Sequence, residues 1–288
     1  MAIIEQDSVK VSSPLQVWVI LVHLYQLPVT GKRMVSIFMK AGRVQACIDY
    51  IKFNHEAEGF EFSEDEEQSI RGVLEGDVNA DELIQAYIDS HALATEYVPP
   101  TDELSFYPHT SSLVNYFSIK ERSKLRRVEA FMANIRSAEM LTETVQNTYD
   151  FEYLKSIHER LFGDVYPSAG ITRTTAAAKR TVFCSPEYID SAAEDIFTRL
   201  RKDRYLVNLD RETFINDLAF YMGEVEALHP FRDGNGRAAR LFFYQLSMNA
   251  GYDIDWSLID ADRLLEADIS AIDGDYQLLI DVLEEVVI

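Results

Sequence analysis

Apolar residues recur at helical spacing along most of the chain. They do so from Phe214 to Leu228 and again from Arg237 to Asn249, which leaves residues 229–236 as a short loop between two helices. Val44, Cys47, Ile48 and Ile51 form another such stripe and predict an amphipathic helix over 43–58, closed by Gly59 as its C-cap. Ser63-Glu-Asp-Glu66 has the spacing of a capping box, Asn79-Ala-Asp-Glu82 predicts a second helix start, and Glu75-Gly76-Asp77 between them reads as a stop. One segment breaks the pattern. Gly170 to Pro186 is rich in Thr and holds Thr181-Val-Phe, which suits a β-hairpin or an ordered loop between a helix ending near Phe162 and one beginning near Pro186. Pro99-Pro100, flanked by Thr101 and Asp102, marks the best boundary between an acidic N-terminal part and a longer C-terminal part, both mostly helical.

The loop at 229–236 carries the densest chemistry. Residues 229–240 read His-Pro-Phe-Arg-Asp-Gly-Asn-Gly-Arg-Ala-Ala-Arg. Gly234 and Gly236 allow the backbone to approach a phosphate with no Cβ in the way. Their N–H groups fall at the start of the second helix, where the helix dipole favours an anion. Arg237 and Arg240 share a helix face and suit the outer phosphates of a nucleotide, because guanidinium groups bind phosphate oxygens in pairs. Asp233 is a hard oxygen ligand of the kind Mg²⁺ takes alongside substrate phosphates. Asn235 can donate to a phosphate oxygen. With Arg232 included, residues 232–237 and Arg240 make a nucleotide-binding set. His229, ahead of the loop, can take a proton from an incoming hydroxyl, and Phe231 is an apolar pin. The plainer reading is a helix–loop–helix turn with a satisfied histidine and a solvated Asp–Arg face.

Charge and composition narrow the partners. Among 288 residues, Asp and Glu outnumber Lys and Arg by 48 to 27, a formal net charge of −21, which argues against nucleic acid. Basic residues therefore stand out where they cluster, at Arg173, Lys179 and Arg180, and at Lys120, Arg122, Lys124, Arg126 and Arg127; the second cluster also reads as a solvated helix face. Two cysteines, Cys47 and Cys184, fit a reducing, cytoplasmic setting. The apolar run Leu15–Leu27 falls short of the roughly 20 residues a membrane span needs, and no basic segment precedes it as in a signal peptide. Residues 1–33 differ in character from the rest, and Met34 is an alternative start.

The run 229–240 also resembles the signature of the Fic family, His-x-Phe-x-Asp/Glu-Gly-Asn-Gly-Arg-x-x-Arg, with every fixed position matched. The likeness extends over about 100–288. Ser105-Phe-Tyr-Pro108 with Asn115-Tyr-Phe, Phe151 to His158, Leu161 to Pro167, and Gly251 to Ser257 are all similar to family segments. One local departure follows Pro167, where Ser168-Ala-Gly-Ile-Thr-Arg173 replaces the family's frequent Trp-Ala-Gly-Glu-Ile-Arg. The resemblance implies an all-α fold: a helical catalytic core over 99–288 with a small β-hairpin flap, preceded by a helical inhibitory domain over 1–98. Family members often carry an inhibitory helix with Ser/Thr-x-x-x-Glu-Gly/Asn, to which Asn54-His-Glu-Ala-Glu58-Gly59 is similar, with Asn in place of the hydroxyl residue. On this likeness Glu58 pairs with Arg240 and denies it to the γ-phosphate, as in an antitoxin fused to its toxin.

The activity implied is protein AMP transfer from Mg·ATP to a Tyr, Thr or Ser hydroxyl. His229 is the base, Asp233 the metal ligand, Thr181, Val182 and Phe183 the strand that docks the target, and Leu264 and Ile272 walls near the adenine. Gly236 sets the chain apart from the phosphorylating Doc branch, which has a bulkier residue there. Toxin-like members act on bacterial topoisomerases, which by resemblance alone suggests a target class. Transfer of another nucleotide moiety, AMP removal, a nucleotide-gated interaction module without catalysis and a plain helical scaffold are the competing readings; oligomeric state stays open.

Overall fold

The computed structural model describes residues 35–98, 106–143, 148–177 and 182–288. Thr181, Lys179, Arg180, Met34, the run Leu15–Leu27, the Pro99-Pro100 boundary and Ser105 lie outside the described residues. Residues Cys47–Ile288 form a compact unit that holds both the 54–59 segment and the 229–240 loop, and apart from the first part of the helix that begins at Val35 everything below concerns it.

The described residues form ten α-helices: α1 Val35–Ala57, α2 Glu64–Glu75, α3 Ala80–Ser90, α4 Arg122–Thr142, α5 Phe151–Phe162, α6 Ile189–Lys202, α7 Arg211–Leu228, α8 Asn235–Ala250, α9 Ala261–Ile272 and α10 Gln277–Val286. The fold is all-α. Two isolated β-bridges, Phe106 with Leu113 and Ile254 with Val287, are the extended pairings between described residues. No helix among them is long and apolar enough to cross a membrane.

The helix starts follow the sequence signals. Ser63 accepts from the Glu66 amide and Glu66 reaches back to the Ser63 amide, a complete capping box. Asn79 caps α3 through Glu82, and Gly76, at φ 81°, closes α2. Helix α1 begins at Val35, earlier than the expected residue 43, and ends near the expected place, with Gly59 in the left-handed region at φ 81°. Gly42 thus sits inside the helix, a loss of about 1 kcal/mol against Ala that a long helix absorbs.

Helix α7 is the core element. Phe214, Leu218, Ala219, Tyr221, Met222, Val225 and Leu228 are buried on several of its faces, as expected of a helix surrounded by others. Helices α6, α8, α9 and α10 all pack on it, and α5 packs on α8. Gly223 is where α7 meets α9 and α10 most closely: a Cβ there would lie 2.7 Å from the Tyr276 ring and 3.0 Å from Ala271. Helix α4 joins the two ends of the chain, packing against α2 and α3 on one side and α5 on the other. Over 170–186 no strand ladder forms among the described residues, so the expected hairpin is not seen there.

Ser63→Ala removes the hydroxyl's bonds to the Glu66 amide and carboxylate and leaves the Ser63 amide's bond to Glu66 in place. We expect it to cost about 1 kcal/mol in denaturant unfolding.

Candidate active site

Helix α7 ends at His229, whose backbone turns left-handed (φ 43°, ψ 60°). That turn is uncommon for a residue with a Cβ and is held by its surroundings. Arg173 is the main restraint. It is fully buried, donates from Nε to the His229 carbonyl at 2.7 Å, and donates from its terminal nitrogens to the carbonyls of Thr175 (2.9 Å) and Cys184 (2.5 Å). One guanidinium therefore ties both arms of the 170–186 segment to the end of α7. Arg173, singled out in sequence as part of a basic cluster, is a structural strut; five N–H donors among fixed carbonyls make a buried site that suits Arg alone.

The same segment lays Phe183 flat on the His229 ring, with centroids 3.7 Å apart and planes 7° from parallel. Val182 beside it is 81% exposed, whereas Phe183 is buried. Phe183 is thus a cover on the imidazole, which leaves Val182 as the outward-facing member of the expected docking strand.

Beyond His229 the loop folds on itself. Asn235 accepts from the Phe231 amide at 2.8 Å and donates to the Phe231 carbonyl at 2.9 Å. Its side chain is buried and braces the loop through these two bonds, while the residue also lines the cavity. Phe231 is buried as expected and stacks on His158 of α5 at 3.8 Å. His158 is a post between two loops, bonded through Nε2 to the Asp233 carbonyl (2.8 Å) while Nδ1 accepts from the Gly170 amide (2.9 Å). Burial pushes its pKa down to about 4, so the ring is neutral with its proton on Nε2.

Gly234 is required for two reasons other than phosphate access. Its φ is 76°, and a Cβ would meet the Phe162 ring at 2.5 Å. Gly236 lies in the first turn of α8, where a Cβ would meet only the Arg240 Nη1 at 2.9 Å. Asp233 is exposed, with Oδ1 accepting from the Gly234 amide at 2.9 Å. Arg232 turns away from this loop: it donates to the Thr175 hydroxyl and stacks over Phe106 at 5.0 Å. It does not line the cavity described below but a smaller adjoining one with Asp233 and Gly234, and its neighbour Phe231 is the residue drawn inward.

The two arginines of the motif are held differently from the expectation. Arg237 is buried over the Phe162 ring (4.7 Å) and bonded to Glu129 of α4, whose other oxygen accepts from the Tyr166 hydroxyl. Its Nε faces the Glu58 Oε1 at 3.2 Å, an ion-pair contact whose angle falls short of a hydrogen bond. Arg126 of α4 takes the Glu58 carbonyl and approaches its Oε2 at 3.3 Å. Arg240 donates from Nε to the Asn54 side chain at 2.7 Å. Glu58 therefore pairs with Arg237 and Arg126, and the partner of Arg240 is Asn54. The reason is register: α1 presents Asn54 and Glu58 one turn apart, and they meet Arg240 and Arg237 across an antiparallel approach of two three- and four-residue spacings. Burial raises the Glu58 pKa, but Arg237 and then Arg240 more than offset it, and the carboxyl stays below its ordinary value. Glu129 is raised, by burial before all else, with Arg237 opposing.

Around these groups lies a cavity of ≈ 380 Å³. His229, Asp233, Arg237, Arg240 and the backbone of 234–236 form its polar side. Leu264 and Ile272 of α9 line it with Leu265 and Ile269, and Phe53, Ala57 and Glu58 of α1 close it. Gly59, Asn54 and Val182 are not in its lining. Sequence spacing missed Glu129, Tyr166, His158 and Arg126 as supports. The usable signal was Glu129, an acid on the buried face of α4 between Leu125 and Met132.

The site belongs to an enzyme class that others share. Residues 148–247 match the Fic/DOC family. The chain is 39% identical over 173 residues to the protein adenylyltransferase VbhT of Bartonella schoenbuchensis, covering 60% of this chain and 36% of that protein. It therefore spans about a third of that relative. It is 34% identical over 171 residues to the "Probable protein adenylyltransferase y4lH" of Sinorhizobium fredii, 59% of this chain and 88% of the relative. Among solved structures, the BepC protein of Bartonella tribocorum, crystallised with AMPPNP, superposes with a TM-score of 0.61 at 27% identity, over 64% of this chain and 96% of that one. The chain belongs to the Fic/DOC family and, like these relatives, falls in the adenylyltransferase class.

Gly234→Ala combines a left-handed backbone with a clash against an aromatic ring. It should destabilise the protein by about 2–4 kcal/mol, whereas Gly236→Ala, in a helical turn facing a flexible side chain, should change stability by under about 1 kcal/mol. Paired denaturant titrations would show equal losses if the Phe162 contact were unimportant.

Proposed function

We propose that the chain transfers AMP from Mg·ATP to a Tyr, Thr or Ser hydroxyl of a target protein. The carrying observation is that one cavity unites a histidine, an exposed carboxylate, the N-terminus of α8, two arginines and an apolar end. His229 accepts the proton of the attacking hydroxyl. The new bond forms between that oxygen and the α-phosphorus as the bond to pyrophosphate breaks. The Gly234 and Gly236 amides and the second N–H of the Asn235 amide stabilise charge on the α-phosphate, while Asn235 also braces the loop. Arg237 and Arg240 hold the outer phosphates.

The residues fit Mg²⁺. Asp233 is an exposed hard-oxygen donor at the cavity, beside the groups that would face the phosphates. This matches a metal held by one carboxylate and the substrate's own phosphates. Bound there, Mg²⁺ would neutralise phosphate charge as pyrophosphate departs.

We infer further that residues 1–98 restrain the 99–288 region through Asn54 and Glu58, with Gly59 ending the helix that presents them. Supporting this, α1 engages both phosphate-binding arginines and supplies part of the cavity wall. A γ-phosphate competing for Arg237 meets the Glu58 carboxylate, and a triphosphate displaced by about 1 Å loses about a hundredfold in rate.

Wild type should label weakly with α-³²P ATP in a bacterial lysate, and Glu58→Gly strongly. Adding His229→Ala to Glu58→Gly should cut labelling about 10²–10⁴-fold while leaving ATP binding nearly intact. Equal labelling by wild type and Glu58→Gly would remove the restraint; full labelling without His229 would remove the base. The restraint also has a defined pH window. The folded pKa of Glu58 is depressed, so its contribution is complete above the unfolded value of about 4.3 and fades only as pH falls through the lower folded value. The ratio of Glu58→Gly to wild-type labelling should therefore be flat from pH 6 to 8; a steep change there would assign the restraint to another group.

A further inference from the structure

Along the part of helix α9 that lines the cavity, Leu264, Asp268 and Ile272 form a stripe at four-residue intervals, beside Leu265 and Ile269. Two members of the stripe are apolar walls. The middle one is a carboxyl, and it is used by nothing described above. Asp268 is part-exposed because it lines the cavity, yet its Oδ1 meets no solvent and has no hydrogen-bond partner in the protein. A buried polar oxygen in that state calls for a partner from outside the chain.

We propose that Asp268 selects the base of the nucleotide: it reads the amino edge of an adenine held between Leu264 and Ile272, accepting from the exocyclic amine and donating to the adjacent ring nitrogen. This rests on the Mg·ATP reading of the cavity and adds to it the residue that reads the base.

The chemistry of the carboxyl suits that edge. The charged groups facing Asp268 are Glu226 from α7 and Arg240 from α8. Burial first, and then Glu226, hold the carboxyl well above the usual carboxylate range, with Arg240 pulling the other way. Protonated, it offers one donor and one acceptor. Adenine presents an acceptor nitrogen beside an amine donor, whereas guanine presents two acceptors on the same edge. A group with one donor and one acceptor completes both bonds with adenine and leaves one acceptor facing another with guanine. Asn pairs with adenine in this way, so it is the conservative replacement.

The test compares affinities of the full-length wild type, Asp268→Asn and Asp268→Leu for Mg·ATP, Mg·GTP and pyrophosphate by calorimetry. Wild type should prefer ATP over GTP. Asp268→Asn should keep that preference. Asp268→Leu should lose about tenfold in ATP affinity, the scale of one or two net hydrogen bonds, with pyrophosphate unchanged. Equal losses for ATP and pyrophosphate in Asp268→Leu would place the effect on Arg240 and overturn the proposal. So would an Asn variant as weak as Leu, or a wild type indifferent to the base. If wild type binds neither ATP nor pyrophosphate, the nucleotide reading itself falls and takes this inference with it; if it binds ATP with an ATP-to-GTP ratio that no Asp268 substitution alters, only this inference falls.

Discussion

A single buried cation organises this site. The Arg237 guanidinium has lost its water and recovers the cost from a ring of groups: Glu129 behind it, Glu58 beside it and the Phe162 face beneath it. A charge in such a position is tolerated only while its partners stay in place, since removing one leaves the other uncompensated. The two carboxylates are not equivalent. Glu129 is anchored further by the Tyr166 hydroxyl and sits in the core of α4. Glu58 is at the end of a helix and more exposed, and its other holds come from Arg126. The permanent partner fixes where the arginine points; the outer one covers the face that remains.

That arrangement explains why α4 matters despite carrying no motif residue. It packs on α2, α3 and α5, and from it come Glu129 and Arg126, as well as Asn134, which meets the His55 ring at 2.8 Å. The 54–59 segment and the 229–236 loop are thus aligned through a shared neighbour. The other half of the alignment comes from Arg173 and His158, which secure His229 and the Asp233 carbonyl by main-chain contacts. Side chains of the motif can then be exchanged for function only within a backbone that outside residues define.

Sequence made the local parts legible. Periodicity located α7 and α8, the loop between them and the end of α1; caps at Ser63 and Asn79 were readable because a cap is a three-residue affair. The cavity residues Leu264 and Ile272 came from the family likeness alone. What stayed hidden was set by packing over long separations. Nothing in the spacing joins Glu129 to Arg237, 108 residues on, or tells that Asn54 and not Glu58 meets Arg240. The bracing role of Asn235 was hidden as well, because an amide in a glycine loop suits a ligand and a brace equally well, and the bonds to the Phe231 backbone appear only in the fold. Arg173 stood out only as one member of a basic cluster, because its burial depends on three carbonyls that come from distant turns.

Phe53, Ala57 and Glu58 form part of the cavity wall and belong to the same polypeptide as the loop they cover. A restraint supplied by a separate protein has an occupancy set by two expression levels and is lost on dilution. One built into the chain has a local concentration fixed by geometry, always one per enzyme, and independent of how much protein a cell holds. On the proposed reading, relief then has to come from inside the molecule, through a swing of one carboxylate or a loosening of the last turn of α1. The silent state becomes a property of each chain from the moment it folds, and dilution cannot release it.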